Sequence, residues 1–185
     1  MLNSNLIKRL PKALINTSNV QKADAAVGLL LTPREEDYEI LFVKRVERST
    51  DPWSGQIAFP GGKIDSVDKS LKDTVIREVF EETNIRVEEE NILGVLEIIK
   101  SESSRNIKIL PFIIMLEKSP FIKLNKNELD RFFWIPYEKI ETNRGITNFG
   151  SRKIPAYIFG KDIIWGVTYN ILNAFSKIIE SMKTS

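Results

Sequence analysis

The most informative part of the chain is residues 55–85, GQIAFPGGKIDSVDKSLKDTVIREVFEETNI. A short strand over 56–59 is expected to stop at Pro60-Gly61-Gly62, because glycine permits backbone angles that other residues avoid. The second half of the stretch predicts a helix over 69–83. One apolar stripe recurs there at about 100° per residue, formed by Leu71, Val75, Ile76, Val79 and Phe80.

The predicted helix carries three carboxylates on one surface beside its apolar stripe. Glu78 and Glu82 are four residues apart and Glu81 lies between them, so like charges repel at a cost of ~0.2–0.5 kcal/mol per pair. Oxygen ligands at this density suit a hard divalent cation such as Mg²⁺ or Mn²⁺. Taken alone, Arg-Glu-x-x-Glu-Glu is more typical of a solvated helix face. The upstream Gly61-Gly62 pair favours the metal interpretation, because an exposed backbone carbonyl there adds an oxygen ligand.

Outside this stretch, apolar runs and polar interruptions predict further strands and helices. Strands are expected at 25–31, 39–46, 91–100, 107–116, 133–135 and 154–159, the first two as a hairpin. Helices are expected in an N-terminal arm over 1–22 interrupted by Pro11, in a turn at 126–133 and over 165–182, with a loop at 141–153. The predicted class is α/β (α+β), one domain over 1–185 with a mixed sheet between helices.

Composition excludes several kinds of site. The 185 residues include no Cys and no His, which excludes disulfides, thiolate nucleophiles and every mechanism with a His base or His ligand. Lys and Arg total 27 against 25 Asp and Glu, without the basic surplus of a nucleic-acid or membrane-surface binder. No apolar run is long enough to span a bilayer, and no signal-like segment follows the basic N-terminus. A cytoplasmic protein with no nucleic-acid or membrane partner is expected.

Residues 62–85 resemble the Nudix box: Gly, five residues, Glu, seven residues, then Arg-Glu-apolar-x-Glu-Glu-x-Gly-apolar. The part from the arginine onward is in register, with Arg77, Glu78, Val79, Glu81, Glu82 and Ile85. Asp68 stands at the early Glu position, and the spacing from Gly62 to Arg77 is one residue longer. Asn84 replaces the late Gly, and Asn is the next most permissive residue for a left-handed helix end. The resemblance implies a Nudix-type fold with a mixed sheet sandwiched between helices.

A longer resemblance, from about Ala25 to Leu172, is to the coenzyme A diphosphatase branch of Nudix hydrolases. It is carried by residues 55–60, by Gly-Gly-Lys-x-Asp-x-x-Asp before Thr-x-x-Arg-Glu, and by Ile-Trp-Gly-Val-Thr at 164–168. The branch has an Arg four residues before Gly55, where this chain has Asp51. The resemblance implies coenzyme A or a derivative as substrate.

The Nudix resemblance also implies a reaction and its residues. Water cleaves a pyrophosphate in a small molecule linked to a nucleoside diphosphate, with Mg²⁺ or Mn²⁺ as cofactor. Glu78 and Glu82 are implied as the principal metal ligands, with the Gly62 carbonyl as a backbone ligand. Glu81 is either a third ligand or the group that accepts the proton of the water. Arg77 is expected to orient Glu81 by a charge-assisted hydrogen bond, which completes the predicted catalytic set.

Four residues are the candidates for binding substrate. Arg45 and Arg48 follow a strand and are placed to clamp phosphates, and Lys63 follows the two glycines. Trp53, together with Phe149, is a candidate to stack on an adenine. For each of these side chains a solvated or core position is the alternative interpretation.

Three further expectations concern neighbouring positions. Asp65 and Asp68 are expected to cap the helix or hold Arg77, and Glu128 to place an extra acid near the metals. The terminal helix is expected either to pack its apolar face on the sheet or to form a homodimer with it. That face consists of Trp165, Tyr169, Leu172 and Ile179.

Two other functions stay open. The same chemistry on ADP-ribose, a dinucleoside polyphosphate or a nucleoside triphosphate is motivated by Asp51. A non-catalytic module that binds a nucleotide is the second alternative. All three box glutamates are present, although they repel one another. A non-catalytic module has no reason to keep three carboxylates that repel, so their presence argues against this alternative.

Overall fold

The computed structural model describes residues 2–19, 22–49, 53–101 and 106–184. Within these ranges the helices are α1 (Ser4–Ala13), α2 (Leu71–Thr83), α3 (Tyr137–Thr142) and α4 (Gly166–Lys183). The strands are β1 (Ala25–Arg34), β2 (Asp37–Arg45), β3 (Ile57–Ala58), β4 (Gly61–Lys63), β5 (Ile92–Val95), β6 (Ile99–Lys100), β7 (Lys108–Met115), β8 (Leu129–Pro136), β9 (Arg144–Phe149), β10 (Arg152–Phe159) and β11 (Asp162–Ile164). The predicted class, a mixed sheet with helices on its faces, is confirmed.

The larger sheet has eight strands and mixes both directions of pairing. β1 runs parallel to β7 and antiparallel to β2 and β4, and the predicted β1–β2 hairpin is confirmed. β2 also pairs with β3 and β8, and β7 pairs with β5 and β6. Residues 57–63 therefore join two strands, with β3 bound to the end of β2 and β4 bound to the start of β1. This arrangement fixes Gly61 and Gly62 against β1.

Each face of the sheet carries its own cluster of buried apolar side chains. Side chains alternate along β1, so that Leu30 faces α2 while Leu29 and Leu31 face α1 and α4. Val75 and Val79 bury the apolar stripe of α2, and full burial of such a side chain stabilises by ~1.5–3 kcal/mol. The apolar face of α4 packs on the sheet as one alternative predicted, through Tyr169, Leu172 and Ile179, whereas Trp165 is half-buried.

The loop predicted over 141–153 is wrong, because this segment contains strand β9. β9 pairs with β10, which pairs with β11, and the three form a second sheet. Ile146 and Phe149 of β9 are 66% and 56% exposed. The strand lacks a buried apolar face, so its sequence shows no alternation, and backbone pairing with β10 holds it in place.

The N-terminal arm differs from its prediction at Pro11, because α1 continues through this residue to Ala13. Proline removes one helical hydrogen bond and crowds the carbonyl four residues earlier, here that of Ile7. The helix ends two residues after Pro11, so the disruption is confined to its last turn. Leu2, Leu6 and Leu10 are nonetheless buried in the cluster shared with α4.

Two other predicted segments have different boundaries. The helical turn predicted at 126–133 is instead strand β8 from Leu129 onward, bound along β2. The strand predicted at 91–100 is divided into β5 and β6, with a register shift at Gly94, whose φ is 153°. Glycine tolerates that φ without strain, and the interruption between the two strands lies at residues 96–98. No helix in the described part of the chain is long and apolar enough to cross a membrane.

Candidate active site

The helix α2 begins and ends where its own sequence supplies caps. The Ser70 hydroxyl accepts a hydrogen bond from the Asp73 backbone N–H at 3.2 Å and donates to the Asp73 carboxylate at 3.1 Å. At the other end Asn84 takes a left-handed conformation, and its N–H donates to the Phe80 carbonyl at 2.8 Å. The expected cap by Asp65 or Asp68 is wrong, since Ser70 fills that position.

The two glycines before α2 bring backbone, rather than side chains, against the acidic face of the helix. A Cβ added at Gly62 would lie 2.4 Å from the Glu78 carboxylate carbon. A Cβ at Gly61 would lie 2.3 Å from the Ala26 carbonyl oxygen, and the Gly61 φ of 150° is unfavourable for other residues. Both positions therefore require glycine, but for different reasons: Gly61 for the fold and Gly62 for the space beside Glu78.

Glu82 is the buried carboxylate of the site, with an exposed fraction of 3%. Its Oε2 accepts a hydrogen bond from the Gly61 N–H at 2.9 Å. Burial raises the pKa of Glu82 to about 8, and the negative charges of Glu78 and Glu128 act in the same direction. The residue also lies in the last turn of α2, where the helix dipole disfavours negative charge. A carboxylate in such a position needs a cation nearby to be stable when ionised.

Arg77 connects three acidic side chains around the start of the site. Its guanidinium donates to both Asp68 oxygens at 2.8 and 2.9 Å, to Glu78 at 2.8 Å and to Glu81 at 3.1 Å. The hydrogen bonds from Arg77 hold the pKa of Asp68 well below its usual range. The expected contacts of Arg77 with Glu81 and with Asp68 are thus present. The arginine also donates to the Lys63 carbonyl at 3.3 Å, so it joins α2 to β4.

The three carboxylates of α2 differ in their access to solvent. Glu82 is buried, whereas the Glu78 and Glu81 side chains are 17% and 53% exposed. Burial is also the main reason that the pKa of Glu78 is raised. Solvent exposure therefore increases from Glu82, which is buried beside Gly61, to Glu81, which is exposed and hydrogen-bonded to Arg77.

No group of three or more acidic side chains in the described ranges is arranged as a metal site. Arg77 lies between Glu78 and Glu81 and acts as their counter-ion. The residues nevertheless fit a divalent cation. Carboxylate and carbonyl oxygens are the donors that Mg²⁺ and Mn²⁺ prefer, and the lack of a side chain at Gly62 lets the Glu78 carboxylate pack against the backbone, where a Cβ would lie 2.4 Å from it.

Two of the predicted substrate-binding residues lie near this site. Arg45 ends β2, and its positive charge lowers the pKa of Glu82, so its side chain acts on the α2 face of the sheet. Lys63 ends β4 with an exposed side chain. Arg45 thus places positive charge near the carboxylates, whereas Lys63 approaches the site through its backbone carbonyl, which accepts from Arg77.

The other two predicted substrate-binding residues belong to the loop between β2 and β3. The Arg48 guanidinium donates to the backbone carbonyl of Asn127, so this side chain ties the loop to the segment before β8. Trp53 is half-buried, and its carbonyl accepts a hydrogen bond from the Gln56 N–H at 3.2 Å. The departure from the branch pattern at Asp51 lies outside the described residues.

Glu128 lies close to the acids of α2, as the sequence predicted. Its charge raises the pKa of both Glu78 and Glu82. Its Oε1 accepts from the Asn125 side chain at 2.9 Å, and the Asn125 backbone N–H donates to the Glu82 carbonyl at 2.9 Å. The segment before β8 therefore satisfies a carbonyl at the end of α2 and adds a fourth carboxylate.

A cleft of about 400 Å³ lies on the other face of the sheet, and sequence reasoning did not find it. Lys44 lines it, while the next residue, Arg45, acts on Glu82, because successive side chains of a strand point to opposite faces. Phe149, proposed for stacking, lines this cleft together with Trp165, which the sequence assigned to the apolar face of the terminal helix. The other lining residues include Gln56, Lys161 and Asp162. They come from separate elements, so no local motif identifies them.

Comparison with known proteins identifies relatives over most of the chain. The family model of the NUDIX domain matches residues 22–157. The human mitochondrial coenzyme A diphosphatase NUDT8 is 29% identical over 154 residues, which is 79% of this chain and 65% of that protein. The uncharacterized Nudix hydrolase NudL of Photorhabdus laumondii is 27% identical over 179 residues, 92% of this chain and 90% of that protein. The chain thus spans slightly less than two thirds of the human relative.

Solved structures share the fold at lower identity. A MutT/nudix family protein from Enterococcus faecalis superposes with a TM-score of 0.61 at 16% identity, covering 97% of this chain and 76% of that one. An Ap4A hydrolase from C. elegans, solved as a binary complex, gives a TM-score of 0.56 at 15% identity, covering 86% and 99%. Both comparisons place the sheet and its helices in a known architecture.

Proposed function

Because the chain belongs to the Nudix family, we propose that it is a metal-dependent hydrolase of pyrophosphate bonds in nucleoside diphosphate-linked molecules, with coenzyme A or a derivative as substrate. The observation that carries this proposal is the contact of the two glycines with the acids of α2. Gly61 donates to buried Glu82 at 2.9 Å, and Gly62 lets the Glu78 carboxylate approach the backbone more closely than any side chain would allow. A helix that was only a solvated surface would need neither feature.

We assign the metal ligands to Glu78, Glu82 and Glu81, with the Gly62 carbonyl as a backbone ligand and Mg²⁺ or Mn²⁺ as the ion. When bound, such an ion neutralises charge on the pyrophosphate and makes water a stronger nucleophile. The residues themselves define where this happens. Glu82 is fixed by burial and by Gly61, so it sets the position of the site relative to the sheet.

Arg77 is a positioning residue in this proposal. Both Asp68 oxygens hold its guanidinium, which in turn holds Glu78 and Glu81. Glu81 is the most exposed acid of α2, which suits either a ligand that turns towards the ion or a base that accepts the proton of water. The chain contains no His, so in this proposal a carboxylate takes the role of base.

Substrate binding is assigned to positive side chains around the acids. Arg45 is proposed to contact the phosphates because its charge acts on Glu82, and Lys63 is proposed to do so because it is exposed at the end of β4, directly after the two glycines. Arg48 is proposed to act mainly by fixing the β2–β3 loop, since its guanidinium already contacts the Asn127 carbonyl. Trp53, in the same loop, stays a candidate for contact with the base.

Coenzyme A is favoured as substrate by two related observations. The human and mouse relatives are named coenzyme A diphosphatases. The sequence leading into the glycines, residues 55–60, resembles that branch as well. ADP-ribose, dinucleoside polyphosphates and nucleoside triphosphates are the alternative substrates. For each of them the reaction would be the same, and only the residues that bind the rest of the substrate would have a different role.

The test is a substrate panel with purified full-length protein and Mg²⁺ or Mn²⁺. The panel holds coenzyme A, ADP-ribose, a dinucleoside polyphosphate and the common nucleoside triphosphates, with products identified by mass. Glu82→Gln is the blank and Glu90→Gln, at an exposed acid after α2, is the matched control. We expect phosphopantetheine and adenosine 3′,5′-bisphosphate from coenzyme A. Faster cleavage of another compound overturns the substrate, and turnover by none overturns the enzymatic proposal.

A further inference from the structure

The cleft on the far side of β2 has a supported aromatic wall. The Phe149 and Trp165 rings lie 4.7 Å apart between centroids at 36°, and Phe149 is 56% exposed. Trp165 is half-buried at the start of α4, so it backs Phe149 without closing the cleft. A large exposed aromatic ring that is fixed from behind is typical of a surface for stacking a planar ligand.

The same cleft carries positive charge. Lys44 lines it from β2, and Lys161 lines it from the tight turn between β10 and β11. Among the described residues that line the cleft, the acid is Asp162, and Arg131 forms an ion pair with it. The charge of Asp162 is thus already compensated, and the two lysines favour an anionic ligand. Gln56 adds an amide that can donate and accept hydrogen bonds.

The cleft connects directly to the carboxylate site along the chain. Gln56 and Ile57 line its floor, and Gly61 and Gly62 face the acids of α2. The seven residues from Gln56 to Gly62, which are six steps along the chain, span at most ~20 Å when extended. Lys44 and Arg45, adjacent on β2, act on the two sides. A molecule that passes the end of β2 can therefore engage both sites at once.

We propose that this cleft binds the adenosine end of the substrate, with the base on Phe149 and a 3′-phosphate between Lys44 and Lys161. The inference rests on the proposed function, which it deepens by naming the part of the substrate that each region holds. An aromatic wall alone suits any nucleobase, whereas two lysines beside it distinguish a nucleoside with an additional phosphate. The cleft thus discriminates between coenzyme A and nucleotides that lack the 3′-phosphate.

The first test compares coenzyme A with dephospho-coenzyme A, which lacks only the 3′-phosphate. Lys44→Ala and Lys161→Ala should each lower kcat/KM for coenzyme A about tenfold, with a change of about twofold or less for dephospho-coenzyme A. Phe149→Ala should lower kcat/KM for both substrates about tenfold through KM, because it removes stacking from both. Lys177→Ala, at an exposed position of α4, is the matched control. Equal losses on both substrates in the lysine variants, or no loss, would overturn the proposal.

A second readout does not depend on turnover. Calorimetry without divalent metal should find that adenosine 3′,5′-bisphosphate binds the wild-type protein about tenfold more tightly than adenosine 5′-monophosphate, and that Lys161→Ala removes this difference. Equal affinity for both nucleotides in the wild-type protein overturns the inference even if coenzyme A is cleaved. Lysine-dependent binding without cleavage of any compound supports the inference and overturns the proposed function instead.

Discussion

The α2 site and the cleft on the opposite face of the sheet are built in contrasting ways. The α2 site comes from one stretch of chain, Gly61 to Glu82, and its groups are interlocked by short hydrogen bonds. The cleft is assembled from β2, the segment into β3, β9, the β10–β11 turn and the start of α4. Its walls are half-exposed side chains. The difference indicates that the proposed catalytic residues are determined by a short stretch of sequence, whereas the residues proposed to bind the adenosine end of the substrate are brought together only by the whole fold.

The contrast also predicts which kinetic constant each region controls. Groups at the α2 site are proposed to act on the reacting phosphates, so their loss should lower kcat for every substrate. Groups in the cleft are proposed to hold a remote part of the substrate, so their loss should change KM and the ranking of substrates.

Removal of divalent metal should have the largest effect on activity. It should abolish turnover at the α2 site and leave ligand binding in the cleft unchanged. With excess chelator we expect turnover of every substrate to fall to background, because uncompensated carboxylates repel a pyrophosphate. Calorimetric binding of adenosine 3′,5′-bisphosphate should persist under the same conditions, since the cleft holds it with lysines and an aromatic ring. Full activity in chelator would contradict the metal assignment. Readdition of Mg²⁺ or Mn²⁺ is the control.

Gly62→Ala should lower kcat about a hundredfold with little loss of stability. The new Cβ meets the Glu78 carboxylate, which is the flexible end of a side chain, so the fold adjusts while the acid moves. A displacement of about 1 Å at a reacting centre costs on the order of a hundredfold. The measurements are kcat and the melting temperature of the same preparation. An unchanged kcat would mean that the space beside Glu78 has no role in the reaction.

Gly61→Ala is the matched contrast one residue earlier. Its Cβ meets the Ala26 backbone oxygen, and its φ of 150° is strained for alanine. We expect a loss of about 2–4 kcal/mol in the free energy of unfolding, measured by denaturant titration. Equal stability of the two variants would contradict the division of roles between the glycines.

Asp68→Asn should have a smaller effect, because it acts through Arg77 rather than on substrate. The amide keeps the shape of the carboxylate but loses the charge that holds the guanidinium at 2.8 and 2.9 Å. Loss of such a supporting contact costs about 10–100-fold in comparable sites. We expect this loss in kcat with KM nearly unchanged and with the cleft ligand bound normally. A change in KM alone would place Asp68 in substrate binding instead.

The smallest expected effect is on stability at acidic pH. Arg77 holds the pKa of Asp68 below its ordinary value of 3.8, so the pair stabilises the folded state fully above that value. As the pH falls through the lower folded value, Asp68 becomes protonated and the contribution is lost. The melting temperatures of the wild-type protein and of Asp68→Asn should therefore converge on acidification. A difference that grows as the pH falls would contradict the assignment.

The sequence predicted the local features of the molecule well. The buried stripe of α2 at Val75 and Val79, its left-handed end at Asn84 and the β1–β2 hairpin depend on neighbours in the chain, and all are present. Phe80, predicted as part of the stripe, is instead 42% exposed with Arg86 over its ring. Prediction from the sequence failed where long-range pairing decides the structure. β9 has no buried face, so periodicity alone could not identify it, and of β8, which pairs along β2, the sequence predicted only the part at 133–135.

The same division holds for the candidate sites. Arg77, Glu78, Glu81 and Glu82 lie close together because helical spacing requires it. Lys44 and Lys161 are 117 positions apart and meet because β3 lies beside β11 at the cleft. Trp165 was assigned to the apolar face of the terminal helix, because nothing local in the sequence distinguishes a buried Trp from one that lines a cleft.

The central claim is that the acids of α2 facing the glycines cleave the substrate, and Glu82→Gln tests it most directly. The measurement is the Mn²⁺-dependent rate of coenzyme A cleavage by the wild-type protein and the variant, with melting temperatures recorded alongside. We predict a loss of about a thousandfold, three factors of ten at ~1.4 kcal/mol each, in a variant that remains folded and still binds adenosine 3′,5′-bisphosphate. A folded Glu82→Gln variant that cleaves coenzyme A at the wild-type rate would contradict the claim.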